Sequence, residues 1–146
     1  MKQPAYYAEK YKHMYMQMAI NASASSVATR RKVGCLLYLN DHTCVLSWNG
    51  KPSGSKCEKC EGNDNTTLAD VIHAEANCIK RLEDAGTLHL ADGAIAFCSL
   101  SPCADCSNAL ILAGISKVYY LDEYRCTSGL EILNHFGIET IKLTMG

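Results

Sequence analysis

The sequence predicts an α/β fold, a single mixed sheet with helices on both faces. Three observations predict it. Short apolar, β-branched runs alternate with helical patterns through the second half of the chain. The first two such runs are joined by turn residues, which reads as a hairpin. The chain has 146 residues, the length of one domain, with 48% hydrophobic and 20% charged residues. A chain of this size buries a core without help from disulfides or metals.

The elements follow in order. Residues 5–23 read as one helix behind Pro4, with Tyr7, Tyr11, Met14, Tyr15 and Met18 on one face. That aromatic and Met stripe is assigned to core packing. Residues 33–39 and 44–48 read as strands, with the turn sequence Asn40-Asp41-His42-Thr43 between them. Residues 49–67 are rich in Gly, Ser, Asn, Asp and Lys and read as a long loop, a kind of segment that often carries function. A helix is expected over 68–82 and a buried strand over 94–100. Residues 103–113 read as a helix closed by Gly114, 117–121 as a strand, 128–135 as a helix closed by Gly137, and 138–143 as the last strand. With no internal repeat and no long linker, residues 1–146 read as one domain.

Charge and cysteine usage narrow the function. The formal net charge is -1 and there is one Trp, which gives no footprint for long nucleic acid. No stretch approaches the roughly 20 apolar residues of a membrane span, and the first 15 residues carry no apolar secretory core. The 9 cysteines are odd in number and cannot all pair within the chain. Reduced thiols in the cytoplasm are expected, some of them metal ligands. Cys35, Cys44, Cys78 and Cys98 sit in apolar runs and are expected to be buried as small hydrophobes.

Two segments carry chemistry. One is His73-Ala74-Glu75, near the start of a helix; the other is Pro102-Cys103-Ala104-Asp105-Cys106, where a strand passes into a helix. Two thiols three residues apart on a helical turn face one side, and a helix N-terminus favours the thiolate that binds zinc. Pro102 suits the first position of that turn, where an amide hydrogen has no partner to lose. One imidazole and two thiolates make three ligands, and catalytic zinc keeps a fourth position for water where structural zinc normally has four protein ligands. Glu75, two residues from His73, is placed to move protons without being a ligand. Each piece alone is ordinary: a lone His is more often a core residue, and a lone Cys-x-x-Cys serves knuckles and redox pairs as well. Together, His-x-Glu followed by Pro-Cys-x-x-Cys matches the known signature of zinc nucleobase deaminases.

On these residues the sequence resembles the cytidine and deoxycytidylate deaminase superfamily, and within it the deoxycytidylate (dCMP) branch. The resemblance runs from about Arg30 to Ile138 and is carried by RRKVGCLL (30–37), SWNGKPSG (47–54), VIHAEANCI (71–79) and SLSPCADC (99–106). It implies a cytidine-deaminase-like fold, a five-stranded mixed sheet flanked by helices, with one catalytic zinc on His73, Cys103 and Cys106. It implies a sugar contact from Asn49 and base contacts from the backbone at Ala74 and Ser101. Tyr120 and Tyr124 match a position near the substrate, Tyr120 being equally a core candidate. Arg30, Gly50 and Lys51 become candidate phosphate or allosteric contacts. Family members are commonly hexamers controlled by dCTP and dTTP, which adds Mg2+ with a bound triphosphate effector to the expectations. Some members carry a second zinc in the loop after Asn49, where Cys57 and Cys60 stand here. The expected reaction is hydrolysis of dCMP to dUMP and ammonia. The alternatives are dCTP as substrate, editing of a polynucleotide, and a non-enzymatic zinc or nucleotide-sensing module.

Overall fold

The computed structural model describes residues 2–51, 59–62 and 71–146. Cys57 and the expected start of a helix at residues 68–70 lie outside the described residues.

The described strands form one five-stranded sheet in the order β2-β1-β3-β4-β5: β1 Gly34–Tyr38, β2 Cys44–Trp48, β3 Ile95–Leu100, β4 Lys117–Asp122 and β5 Glu139–Lys142. β1 pairs antiparallel with β2 and β3, whereas β4 runs parallel to β3 and to β5. The hairpin turn is built as its residues predict. Asp41 accepts from the amide and hydroxyl of Thr43, and His42 takes the left-handed conformation at φ 69.

Side-chain alternation along the strands makes two cores. Leu36, Tyr38, Ile95, Phe97 and Tyr119 face α1 (Pro4–Lys10) and α2 (Lys12–Ser23). Cys35, Leu37, Ala96, Cys98, Val118 and Tyr120 face the other way, toward α3 (Ala74–Asp84), α4 (Ala104–Ala113) and α5 (Ser128–His135). Helices therefore cover both faces, as expected. A 3-10 turn, Leu88–Ala91, joins α3 to β3.

Five expectations are corrected. The opening helix is two, because Tyr11 leaves helical geometry at φ -113 and ψ 26. Its buried face is Ala8, Met16 and Ala19, while Tyr11 and Met14 are exposed. Tyr7, Tyr15 and Met18 of the expected stripe pack, partly buried, around this face. Glu9 fastens α1 there by accepting the hydroxyl hydrogen of Tyr119. α3 starts at Ala74 and not earlier, since His73 is extended at φ -68 and ψ 157. Cys44 is exposed, because it opens the edge strand β2. Tyr120 belongs to the core: the alternation of β4 turns it into the cluster with Val118, and it does not line the cleft described below. Among the described residues, no helix is long and apolar enough to cross a membrane.

Candidate metal and active site

The site forms where two helix starts meet beside the end of β3. His73 precedes α3 and Cys103 precedes α4, each in an extended conformation that aims its side chain back across the helix end. After β3 the chain is held by a bond from the Ser101 amide to the carbonyl of Asp122, and the buried Pro102 fixes the turn into α4. Cys103 Sγ accepts from the Cys106 amide at 3.5 Å and so caps α4. The partial positive ends of α3 and α4 both favour negative charge at this point.

His73 Nδ1 lies 3.6 Å from Cys103 Sγ and 3.3 Å from Cys106 Sγ. The three ligand atoms fall within 4.8 Å of one another, and no other such group occurs among the described residues. With Zn–S near 2.3 Å and Zn–N near 2.0–2.1 Å, a tetrahedral angle puts sulfur and nitrogen about 3.6 Å apart. Both observed separations fit an ion of that size. The electrostatics agree. Hydrogen bonds from Cys106 and then His73 push the Cys103 thiol down to about 3, and Cys103 in turn raises the His73 imidazole. Contact with Cys103, then burial, pushes the Cys106 thiol up, so the pair sheds its first proton readily and resists losing the second without a cation.

Glu75 is buried in the first turn of α3. Burial raises its carboxyl, against the opposing pull of its own backbone amide and the Cys106 thiol. A carboxyl with a raised pKa beside a metal site can both take up and release a proton near neutrality.

A cleft of about 240 Å³ opens over these groups. It is lined by His73, Ala74, Glu75, Ser101 and Cys103 at its floor and by Asn49, Tyr124, Arg30, Arg31, Cys60 and Glu61 on its walls. Of the residues expected at a substrate site, Asn49, Ala74, Ser101, Tyr124 and Arg30 are thus brought together. Gly50 and Lys51 are not: they line a separate depression of about 120 Å³ with Trp48, Asn77, Lys80 and Arg81. Cys60 is buried at the cleft wall.

Several side chains fix this arrangement. Asn49 donates from Nδ2 to the Arg31 carbonyl at 2.8 Å and accepts at Oδ1 from the Val33 amide at 2.9 Å. One amide hydrogen and one lone pair remain for a ligand. Ser101 Oγ accepts from the Tyr124 amide at 2.6 Å and sets the opposite wall. Sequence reasoning missed Glu61 and Gly129. Glu61 is one of several acidic residues in a polar stretch, with Glu58 and Asp64 nearby, and offers no local signal. Gly129 did leave one, a glycine inside a helical pattern, which often marks close packing; a side-chain carbon there would meet the Pro102 carbonyl oxygen at 2.0 Å.

Comparisons with known proteins converge on this site. Residues 9–122 match the family model described as the cytidine and deoxycytidylate deaminase zinc-binding region. The deoxycytidylate deaminase of Saccharomyces cerevisiae is 29% identical over 133 residues, 85% of this chain and 42% of that protein. That of Schizosaccharomyces pombe is 30% identical over 125 residues, 78% of this chain and 38% of that protein. The chain thus spans about two fifths of the length of these two curated relatives. Among solved structures, the dCMP deaminase of cyanophage S-TIM5, in complex with dCMP and dUMP, superposes with a TM-score of 0.84 at 36% identity. That alignment covers 92% of this chain and 97% of the phage chain.

Proposed function

Because the chain belongs to the cytidine and deoxycytidylate deaminase family, we propose that it hydrolyses dCMP to dUMP and ammonia, the product serving as precursor for thymidylate. The observation that carries the reading is the triad His73, Cys103 and Cys106 with the buried Glu75 beside it at the floor of one cleft. A redox pair or a structural knuckle has no use for that carboxylate. The preference for a deoxynucleotide is supported by the S-TIM5 enzyme, solved with dCMP and dUMP.

Zinc, when bound by the triad, supplies a water acidic enough to attack carbon at neutral pH. The protein's residues do the rest. The Glu75 carboxylate takes a proton from the attacking water and gives it to the ring nitrogen beside the amino-bearing carbon; it then takes the second proton from the hydroxyl now on that carbon and gives it to the amine, which leaves as ammonia. Water enters and ammonia leaves, so the balance closes without a further reactant. The Ser101 and Ala74 backbone holds the base against the floor, Asn49 offers its remaining amide hydrogen to the sugar, and Tyr124 closes one side. The exposed Arg30 and Arg31 at the rim supply positive charge for a 5′-phosphate.

The finer parts of the reading rest on the family resemblance. The domain works as a homo-oligomer, a hexamer by that resemblance, in the cytoplasm. dCTP, with Mg2+, activates and dTTP inhibits; Gly50 and Lys51, in a depression with the cations Lys80 and Arg81, are the residues offered for the effector phosphates. Cys60 and Cys57 are offered as ligands of a second zinc.

An ammonia-release assay across cytidine, dCMP, CMP, dCTP and a short single-stranded DNA tests the substrate, and added dTTP tests the control. Turnover of dCMP at the highest kcat/KM is expected. A preference for the DNA, or no release from any of the five, would end the proposal.

A further inference from the structure

The ten residues 24–33 that join α2 to β1 carry Arg30 and Arg31 into the cleft wall without regular secondary structure. Backbone groups in such a segment need partners from elsewhere. Those of Arg31 and Val33 are met by the Asn49 side chain. Those of Thr29 and Arg30 are met by a residue more than thirty positions away. Glu61 Oε1 accepts from the Thr29 amide at 2.9 Å and from the Thr29 hydroxyl at 2.9 Å. Glu61 Oε2 accepts from the Arg30 amide at 3.3 Å.

The two arginines beyond this strap are not equivalent. The Arg31 guanidinium is engaged by Asp122 at 2.6 Å. The Arg30 guanidinium makes no ion pair among the described residues, and Arg30 lines the same cleft as Glu61. A carboxylate beside a phosphate site would repel the phosphate if its charge stood open. Here three donors of the Thr29–Arg30 segment bond the two oxygens and partly offset that charge.

We infer that Glu61 is a positioning residue for the substrate phosphate: by strapping the Thr29–Arg30 backbone through both carboxylate oxygens, it holds the Arg30 guanidinium where a 5′-monophosphate reaches it. The inference rests on the monophosphate reading given above. It assigns to Glu61 a part in discriminating phosphorylated from unphosphorylated substrate, exercised through Arg30 and without contact to the reacting atoms.

The test measures kcat and KM for dCMP and for deoxycytidine in the zinc-loaded full chain, wild type and E61A, E61Q, R30A and E61A/R30A. Loss of charge-assisted hydrogen bonds of this kind predicts that E61A reduces kcat/KM for dCMP about tenfold more than for deoxycytidine, chiefly through KM. E61Q keeps an acceptor for one backbone amide and should fall between wild type and E61A. In the R30A background the extra penalty on dCMP should vanish, since the residue being positioned is gone. A loss equal for both substrates, or one that persists undiminished in E61A/R30A, would make the strap merely structural and overturn the inference. If the wild type handled dCMP and deoxycytidine alike, the monophosphate reading would fall first and the inference with it. A wild-type preference for dCMP that E61A leaves intact would overturn the inference alone.

Discussion

The packing of α5 on the metal loop makes Gly129→Ala the most informative single change. A methyl carbon at Gly129 would lie 2.0 Å from the Pro102 oxygen, 2.8 Å from Ser107 Oγ and 2.9 Å from the Cys103 carbonyl carbon. Non-bonded heavy atoms prefer about 3.5 Å or more, so the Pro102 carbonyl must retreat by roughly 1.5 Å or α5 must back away. Overpacking of this kind costs about 1–3 kcal/mol of folding stability. The larger consequence is local. Metal–ligand distances tolerate about 0.2 Å, and Cys103 is the residue attached to the displaced carbonyl. Disturbing the groups that orient a ligand typically weakens metal binding by about 10–100-fold. Zinc affinity by chelator competition, with thermal melts in the presence and absence of zinc, reads both effects. Gly50→Ala, whose new carbon meets nothing within 4 Å, is the control and should bind zinc as the wild type does. Should Gly129→Ala match the wild type in zinc affinity and melting temperature, the close approach does not constrain the ligand loop and the reasoning is refuted.

Further outcomes concern the triad and its carboxylate. Glu75→Gln should cut kcat for dCMP by about 10²–10⁴-fold while zinc content stays that of the wild type; a variant that keeps full turnover would remove Glu75 from the proton path. Stripping zinc should cost about 2.7 kcal/mol relative to protein held at 100 times its Kd, roughly 5–10 °C in melting temperature, and re-adding zinc should restore it. An unchanged melt would mean that the three residues do not grip an ion. In metal-free protein the buried Glu75 carboxyl is raised above its ordinary 4.5, so the folded chain binds that proton more tightly than the unfolded chain. Its contribution to stability is complete below the ordinary value and is lost as pH rises through the raised one. Denaturant titrations of metal-free wild type and Glu75→Gln across about pH 4 to 7 should therefore diverge in slope, and parallel curves would contradict the burial argument.

The sequence disclosed what depends on short spacing. His73, Cys103 and Cys106 were legible because each motif lies within one turn, and the geometry that joins them follows from two helix starts at the end of one strand. The strands were legible from their apolar runs; the division of their side chains between two cores was not read, since β1 is buried on both faces. What depends on contacts across the chain was not legible. The break at Tyr11 follows directly on Glu9, which accepts from Tyr119 more than a hundred residues away, a contact no local pattern announces. Ala8, Met16 and Ala19 are fully buried, Tyr7, Tyr15 and Met18 of the expected stripe pack partly buried around them, and Tyr11 and Met14 turn outward, a division set by how the helices seat on the sheet. Tyr120 and Tyr124 lie four residues apart in one motif, yet the first is inside and the second, beyond the end of β4, is at the cleft. Glu61 was silent because one acidic residue among others in a polar stretch, Glu58 and Asp64 beside it, looks the same whether or not it holds a backbone segment in place.

The seat of Pro102 and Cys103 against Gly129 also sets an order in time. Translation delivers the imidazole and both sulfurs by residue 106, but the helix that clamps their loop emerges only some twenty residues later. A nascent chain can therefore gather all three donors and still hold an ion loosely. The ribosome must finish α5 before the grip tightens, so firm metal loading waits for that helix.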